Sequence, residues 1–431
     1  MAQRSLVRAV IASTVGTAIE WYDFFLYGFA ASTIFAEIYF PGNDPTTGLL
    51  LSLATYFGGF VARPVGAAIF GHYGDRIGRK ATLIVTLLSM GLATTLVGLV
   101  PTYEQIGIWG GILLTVLRLL QGISVGGEWG GSVLLSTEWG KPTGENRGFL
   151  GSWPQFGVPL GLLLGYGALR VFQPLDPYWG WRIPFLLSIV LVAVGLYIRL
   201  GILETPVFSK VVEENRVERL PVREVIVRNW KEIILSALLR TGQQAPFYLF
   251  TVFILTYTTK TLGFKPDDVY LYVMLAALVS LVTVPFWGYV SDRVGRRRLY
   301  VIGAVAMAVW AFPYWLLLDT KVPALVLLAI VLALPIHDIQ YGPQATFIAE
   351  SFTGRLRYSG ASLGYQLASV TAGGPAPLIA VWLLSTYQTS LAIAGYMVVC
   401  ALISIGAALA LKERSQQNYA VEYDEVQERP G

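Results

Sequence analysis

Twelve stretches of about 20 to 30 mainly apolar residues, separated by short polar connections, leave this chain few ways to fold. Each is long enough to cross the hydrocarbon of a bilayer as a helix. Lipid offers the backbone no hydrogen-bond partner, so only helices or closed barrels are possible there. The stretches lack the strict alternation of barrel strands, so helices are expected. Hydrophobic residues make up 55% of the chain and charged ones 13%, about half the charged share usual in soluble proteins. Mean hydropathy is +0.58. The spans are expected at 9–36, 48–71, 80–100, 106–138, 148–172, 180–200, 231–259, 268–290, 299–318, 322–350, 358–385 and 389–411. Arg4 and Arg8 precede an apolar run that continues to about Tyr39, which reads as an uncleaved first span rather than a signal peptide. The single cysteine, Cys400, excludes an internal disulfide.

The chain also repeats itself. Gly71-His72-Tyr73-Gly74-Asp75-Arg76-Ile77-Gly78-Arg79-Lys80 returns as Gly288-Tyr289-Val290-Ser291-Asp292-Arg293-Val294-Gly295-Arg296-Arg297, so both copies read G-x-x-x-D-R-x-G-R-[KR]. A second anchor lies at Glu138, before Arg147-Gly148, and at Glu350, before Arg357 and Ser359-Gly360. Such self-similar halves mark membrane bundles built from repeats. The expected organisation is a six-helix bundle over 1–200, a cytoplasmic linker over 201–230, a second bundle over 231–411 and a short cytoplasmic tail over 412–431. Of 31 Lys and Arg residues, 23 fall on the side of the N-terminus, 5 on the other side, and Arg63, Arg118 and Arg240 inside spans. By the positive-inside rule both termini face the cytoplasm. The basic excess belongs to these loops and does not point to nucleic acid. No His/Cys/Asp/Glu spacing suggests a metal, and no cofactor motif is present.

These motifs resemble the major facilitator superfamily, and within it the metabolite:proton symporter branch. The resemblance covers residues 8 to 412. It rests on Glu20-Trp21-Tyr22-Asp23-Phe24 with Tyr27-Gly28, on Arg63-Pro64, on Arg118-x-x-Gln121-Gly122 with Gly126-Gly127-Glu128, on Glu204-Thr205-Pro206-Val207-Phe208, and on Arg357-Tyr358-Ser359-Gly360-Ala361-Ser362. It implies an all-α membrane fold of twelve helices in two pseudo-symmetric bundles. It also implies import of organic acids such as 2-oxoglutarate, citrate and shikimate, or of zwitterions such as proline and betaine, with protons. The long coiled-coil tail of the osmosensory proline/betaine type is missing here, and span five lacks the Gly-Pro-x-x-Gly-Gly pattern of drug antiporters.

Side chains inside the spans carry the candidate chemistry, because ionisable groups in a membrane are costly and usually functional. Glu20 and Asp23 share a face of span one about halfway through the bilayer, where either could carry a proton. A permanent pair with Arg63 is the structural alternative. Arg118, with Gln121 on the same face of span four, suits a substrate carboxylate. Glu128 is either a coupling acid or a helix-to-helix bond made possible by Gly126-Gly127. Arg240, with Gln243 and Gln244 in span seven, could clamp a carboxylate or snorkel to the surface. His337, Tyr341 and Gln344 form one stripe in span ten. Asp338, beside His337, is expected on a different side of that helix. His337 and Asp338 are candidate coupling groups, as are Glu20, Asp23 and Glu128. Tyr365-Gln366 and Trp153-Gln155 are weaker cavity candidates, and most other aromatics read as packing or interfacial residues.

In the charged connections, Asp75 and Asp292 should face helix ends with unpaired N–H groups. With Arg79, Arg147, Arg296, Arg357, Glu138 and Glu350 they form a candidate cytoplasmic gate. For Arg147 and Arg357, which lie beyond the repeated motif, positive-inside topology is an equal explanation. The expected function is proton-coupled import of a small organic anion by a monomer in the cell membrane. A zwitterion symporter is the alternative and an exporter the third reading. No reactive constellation suggests an enzyme.

Overall fold

All regular structure in the computed structural model is helical among the described residues, which are 2–140, 145–419, 422 and 423. Lys141 and the tail beyond Tyr423 lie outside them. Spans one to six are Ala2–Thr33, Pro45–Arg76, Arg79–Val97, Trp109–Thr137, Arg147–Phe172 and Arg182–Leu200. Span seven lies within Pro221–Tyr248, continued by π-helical turns at Leu249–Phe253 and Tyr257–Thr261. Spans eight, nine and ten are Pro266–Val294, Arg296–Asp319 and Pro323–Ala349. Span eleven runs from Arg357–Ala368 through a π turn at Ser369–Gly373 to Pro375–Tyr387, and span twelve is Leu391–Ala410. They form two pseudo-symmetric six-helix bundles. The halves meet where span two packs on span eleven and span five on span eight.

Helix also forms over 221–228, but non-helical backbone at Asn229 (φ −121°, ψ 28°) separates it from the span that follows, whose expected start is residue 231. Pro221 lacks a donor that the first turn does not need, and Glu224 pairs with Arg228 one turn on. The rest of the linker holds a short helix, Pro206–Glu213, capped by Thr205, whose hydroxyl accepts from the Phe208 N–H at 3.3 Å.

Ten of the spans are long and apolar enough to cross a membrane on composition alone; spans one and seven are not among them. These two carry Glu20 and Asp23, and Arg240, Gln243 and Gln244. From Ala12 to Ser32 every residue but Val15 is buried, as is every residue from Gly242 to Thr258. Helices this polar cannot face lipid. They run through the middle of the protein, at equivalent places in the two halves.

The repeated turn owes its glycines to geometry. Gly78 and Gly295 sit at φ +113° and +99°, a region that side chains with a Cβ rarely adopt. The first glycine of each copy permits close approach across the molecule. A Cβ on Gly71 would stand 2.9 Å from the Ser359 Cα, and one on Gly288 would stand 2.5 Å from the Ser152 Cβ.

Candidate functional site

The two copies of the turn lie at one end of the bundle, each against a helix start in the opposite half. Asp75 accepts from the Ser359 N–H at 2.9 Å and from its hydroxyl at 2.8 Å. Asp292 accepts from the N–H groups of Gly148 and Phe149 at 2.8 and 2.9 Å. Both carboxylates thus cap helix N-termini with unpaired donors, where negative charge is favoured. Arg79 lies 3.3 Å from Asp75 and 3.3 Å from Glu138, and Arg357 of the other half reaches the same Glu138 at 3.6 Å. The mirror set has Arg296 at 2.8 Å from Asp292 and 3.2 Å from Glu350, with Arg147 of the first half 3.5 Å from Glu350. All eight predicted residues therefore meet in two equivalent clusters, each completed by an arginine from across the interface. The four arginines are fully buried.

The opposite end is held differently. Phe29 meets Tyr270 edge-on at 4.9 Å, the Tyr166 hydroxyl donates to the Thr251 carbonyl at 2.6 Å, and Arg170 pairs with Asp267 at 2.9 Å. That last pair is exposed and contributes about 0–1 kcal/mol. The halves touch at both ends, and the charged end carries the stronger electrostatic closure.

Between the ends lie the candidate residues of the spans. Arg118 and Arg63 both lie over one ring, with guanidinium carbons 4.0 and 3.9 Å from the Phe24 centroid. The two cations are thus within about 8 Å of each other, where they repel unless an anion intervenes. Arg118 donates to the Gln121 side-chain oxygen at 2.8 Å and to the Tyr56 carbonyl at 3.3 Å, leaving Nη2 unpartnered. Nε and Nη2 of Arg63 have no partner either. Across the interface, Arg240 lies over the Tyr365 ring at 3.2 Å, donates to its carbonyl, and donates to Gln344 at 3.3 Å. Among the described residues none of these three arginines has a carboxylate within ion-pair distance. The Tyr248 ring bridges the halves, 4.9 Å from Phe60 and 6.3 Å from Trp21. Both side-chain polar atoms of Gln244, the Tyr56 hydroxyl and the Trp21 indole N–H are buried without partners among the described residues. Toward the charged end the interface is sealed by Trp129 stacked on Tyr365 at 3.5 Å.

The acids divide into three environments. Asp23 accepts from Thr94 at 2.9 Å and Ser188 at 2.8 Å; Thr94 in turn accepts from Gln121 at 2.7 Å. A continuous hydrogen-bonded path therefore joins Asp23 to Arg118. Glu20 keeps Oε2 buried and unpartnered. Glu128 is held inside the first bundle by Arg199, by Thr86 at 2.8 Å and by Ser132 at 3.1 Å. That ion pair, and the carbonyl of Arg63 only 2.1 Å from where a Gly126 Cβ would stand, match the helix-to-helix alternative for Glu128.

In span ten His337 and Asp338 serve different neighbouring helices, and their side chains also meet. His337 Nδ1 lies 2.9 Å from Asp338 Oδ1, and Nε2 lies 2.7 Å from the Gln243 amide nitrogen. Asp338 also accepts from Ser280 and Thr283, both at 2.6 Å. Neighbours on a helix point about 100° apart, so His337 faces span seven and Asp338 span eight, and the reach of the two side chains brings them into contact. Tyr341 stacks with Phe247 at 6.2 Å, and Gln344 donates to the Tyr300 hydroxyl at 2.8 Å. Among the described residues no group of three or more His, Cys, Asp or Glu side chains could hold a metal.

The sequence offered Arg63 as a partner for Glu20 and singled out neither Arg199 nor Tyr248. Arg63, charged inside an apolar run, carried a usable signal. Arg199 sits at a span end, where a basic residue is unremarked, and nothing in the sequence points it at Glu128.

The family model of the Major Facilitator Superfamily matches residues 14–374 and again 234–424. The inner membrane metabolite transport protein YhjE of Escherichia coli K12 is 38% identical over 421 residues, 95% of each chain. The shikimate transporter of the same strain is 38% identical over 94% of each. Its proline/betaine transporter is 31% identical over 96% of this chain and 84% of its own. Among solved structures, the proton:xylose symporter XylE bound to 6-bromo-6-deoxy-D-glucose superposes with a TM-score of 0.76 at 17% identity, over 99% of this chain and 100% of that one. The chain is a multi-pass membrane transporter rather than an enzyme, and it belongs to the major facilitator superfamily.

Proposed function

We propose that this protein imports a small organic acid anion together with protons, by alternating access across the cell membrane, with its charged end toward the cytoplasm. One observation carries the reading: Arg63, Arg118 and Arg240 converge on the middle of the molecule, buried and without a carboxylate partner among the described residues. Buried cations are expensive to leave unpaired, by several kcal/mol each. The missing counter-charge is the substrate, bound by guanidiniums whose planar forks match a carboxylate. The 38% identity to a shikimate transporter supports an acid of metabolic size. Gln244, Tyr56 and Tyr248 supply further donors, and Gln344 and Tyr341 flank Arg240.

Proton coupling falls to Asp23 and Glu20. Through Thr94 and Gln121, the protonation state of Asp23 reaches the guanidinium that meets the substrate, so proton and anion favour each other's binding. The charged clusters form the cytoplasmic gate and the aromatic contacts the outer one. A zwitterion symporter is the second reading, because the unpartnered Glu20 carboxyl could receive a cationic group and relatives at 31% identity carry proline and betaine. Uptake by proteoliposomes under an imposed inward proton gradient tests the proposal. Gradient-stimulated uptake of a carboxylate is expected; stimulation of proline or betaine alone would overturn the anion assignment.

A further inference from the structure

Of the polar tail after Leu411, the described part folds back over the charged end. The ring of Tyr419 lies between the two arginines that cross the interface, 4.5 Å from Arg147 of the first half and 3.6 Å from Arg357 of the second. Its hydroxyl is 3.3 Å from the Thr137 hydroxyl. The backbone joins in: Arg147 donates to the carbonyls of Ser415 and Gln417 at 3.3 and 2.7 Å, and Arg357 to the carbonyl of Tyr419 at 3.0 Å. Farther on, the buried Glu422 accepts from the Arg355 N–H at 3.2 Å and from the Thr353 hydroxyl, while the Tyr423 N–H donates to Thr353 at 2.9 Å.

We infer that this tail is a latch on the cytoplasmic gate, with Tyr419 as the positioning residue that holds Arg147 and Arg357 against Glu350 and Glu138. Each of these arginines reaches a carboxylate of the opposite half at the long end of ion-pair range, 3.5 and 3.6 Å. The tail adds a ring face and backbone carbonyls to the partners of both arginines. When the halves part at this end, the two arginines separate and one ring cannot serve both. The contact therefore exists only in the closed state and biases the equilibrium toward it. Burial pushes the Tyr419 phenol up to about 12, so the ring stays neutral at working pH and acts through its face.

The inference rests on the alternating-access reading above, and the test separates the two. In the full chain, Cys400 is replaced by Ser and a reporter is placed by Ser362→Cys. Ser362 is buried and faces Gly130 of the other half. Its alkylation by a membrane-impermeant maleimide is timed in inside-out vesicles. Tyr419→Ala should raise the rate about tenfold, the effect of losing the ring from both arginines. Tyr419→Phe keeps the ring and should stay within about twofold of the parent. Asp292→Asn, which weakens the gate directly, should also raise the rate. If Asp292→Asn accelerates labelling while Tyr419→Ala matches the parent, the latch is wrong and the gate stands. If neither moves the rate, both are wrong. If Tyr419→Phe accelerates as much as Tyr419→Ala, the hydroxyl rather than the ring is responsible and the latch as stated fails. Equal thermal stability of the two Tyr419 variants excludes misfolding as the source of faster labelling.

Discussion

Arg63→Gln separates a substrate-binding cation from a structural one. Arg63 is about 1% exposed, with Nε and Nη2 unpartnered, over the rings of Phe24 at 3.9 Å and Phe60 at 4.5 Å. Those two ring contacts contribute about 1–4 kcal/mol in total when desolvated. Against them stands the cost of a buried charge on which Glu20 acts only from beyond ion-pair distance, effectively several kcal/mol. In the empty protein the costs outweigh the gains or nearly cancel them, so Arg63→Gln should leave the melting temperature unchanged or raise it. With substrate bound the balance reverses. Losing one partner of a buried, hydrogen-bonded charge pair costs about 2–5 kcal/mol, a weakening of roughly 30-fold to several thousand-fold in Kd. Thermal unfolding and equilibrium binding on purified protein read the two effects separately, using the carboxylate with the largest gradient-driven uptake. A lower melting temperature with unchanged Kd would refute the reasoning, returning Arg63 to the role of a strut between spans one and two.

Three other perturbations follow from the geometry. Glu128→Gln strands Arg199 and should cost about 3–5 kcal/mol of stability, seen in thermal unfolding, while the pH profile of uptake keeps its shape. Asp292→Asn weakens charge-assisted bonds to Gly148, Phe149 and Arg296, worth about 1.5–3 kcal/mol each; alkylation of a buried reporter at the charged end should rise at least about tenfold. Asp23→Asn removes a group that must bind and release a proton, so uptake should lose its rise toward acidic external pH while substrate exchange without a gradient continues. If the pH dependence survives there and disappears in Glu20→Gln, the coupling acid is Glu20.

How much could be read in advance depended on what kind of contact each residue makes. The spans were legible because lipid imposes length and hydropathy on every helix. The clusters of Asp75, Glu138, Asp292 and Glu350 were legible because duplication displays each twice. The helical segment over 221–228 was not, since Arg223, Glu224 and Arg228 look alike in an irregular linker and on a short solvated helix. The His337–Asp338 contact was missed because helical periodicity gives the direction of a Cβ and not the reach of the side chain beyond it. Tyr419 was unreadable for a plainer reason. Its partners, Arg147 and Arg357, are more than 60 positions away in sequence and come together only when the halves close.

The central claim is that the substrate's negative charge completes a site built around unpaired arginines. The most direct measurement is the affinity of the purified protein for a transported carboxylate against the affinity for its uncharged primary amide. Loss of a buried, hydrogen-bonded charge pair predicts that the acid binds at least about 100-fold more tightly, with the gap collapsing in Arg63→Gln or Arg118→Gln. Equal affinity for acid and amide, or tighter binding of a zwitterion than of any anion, would contradict the account.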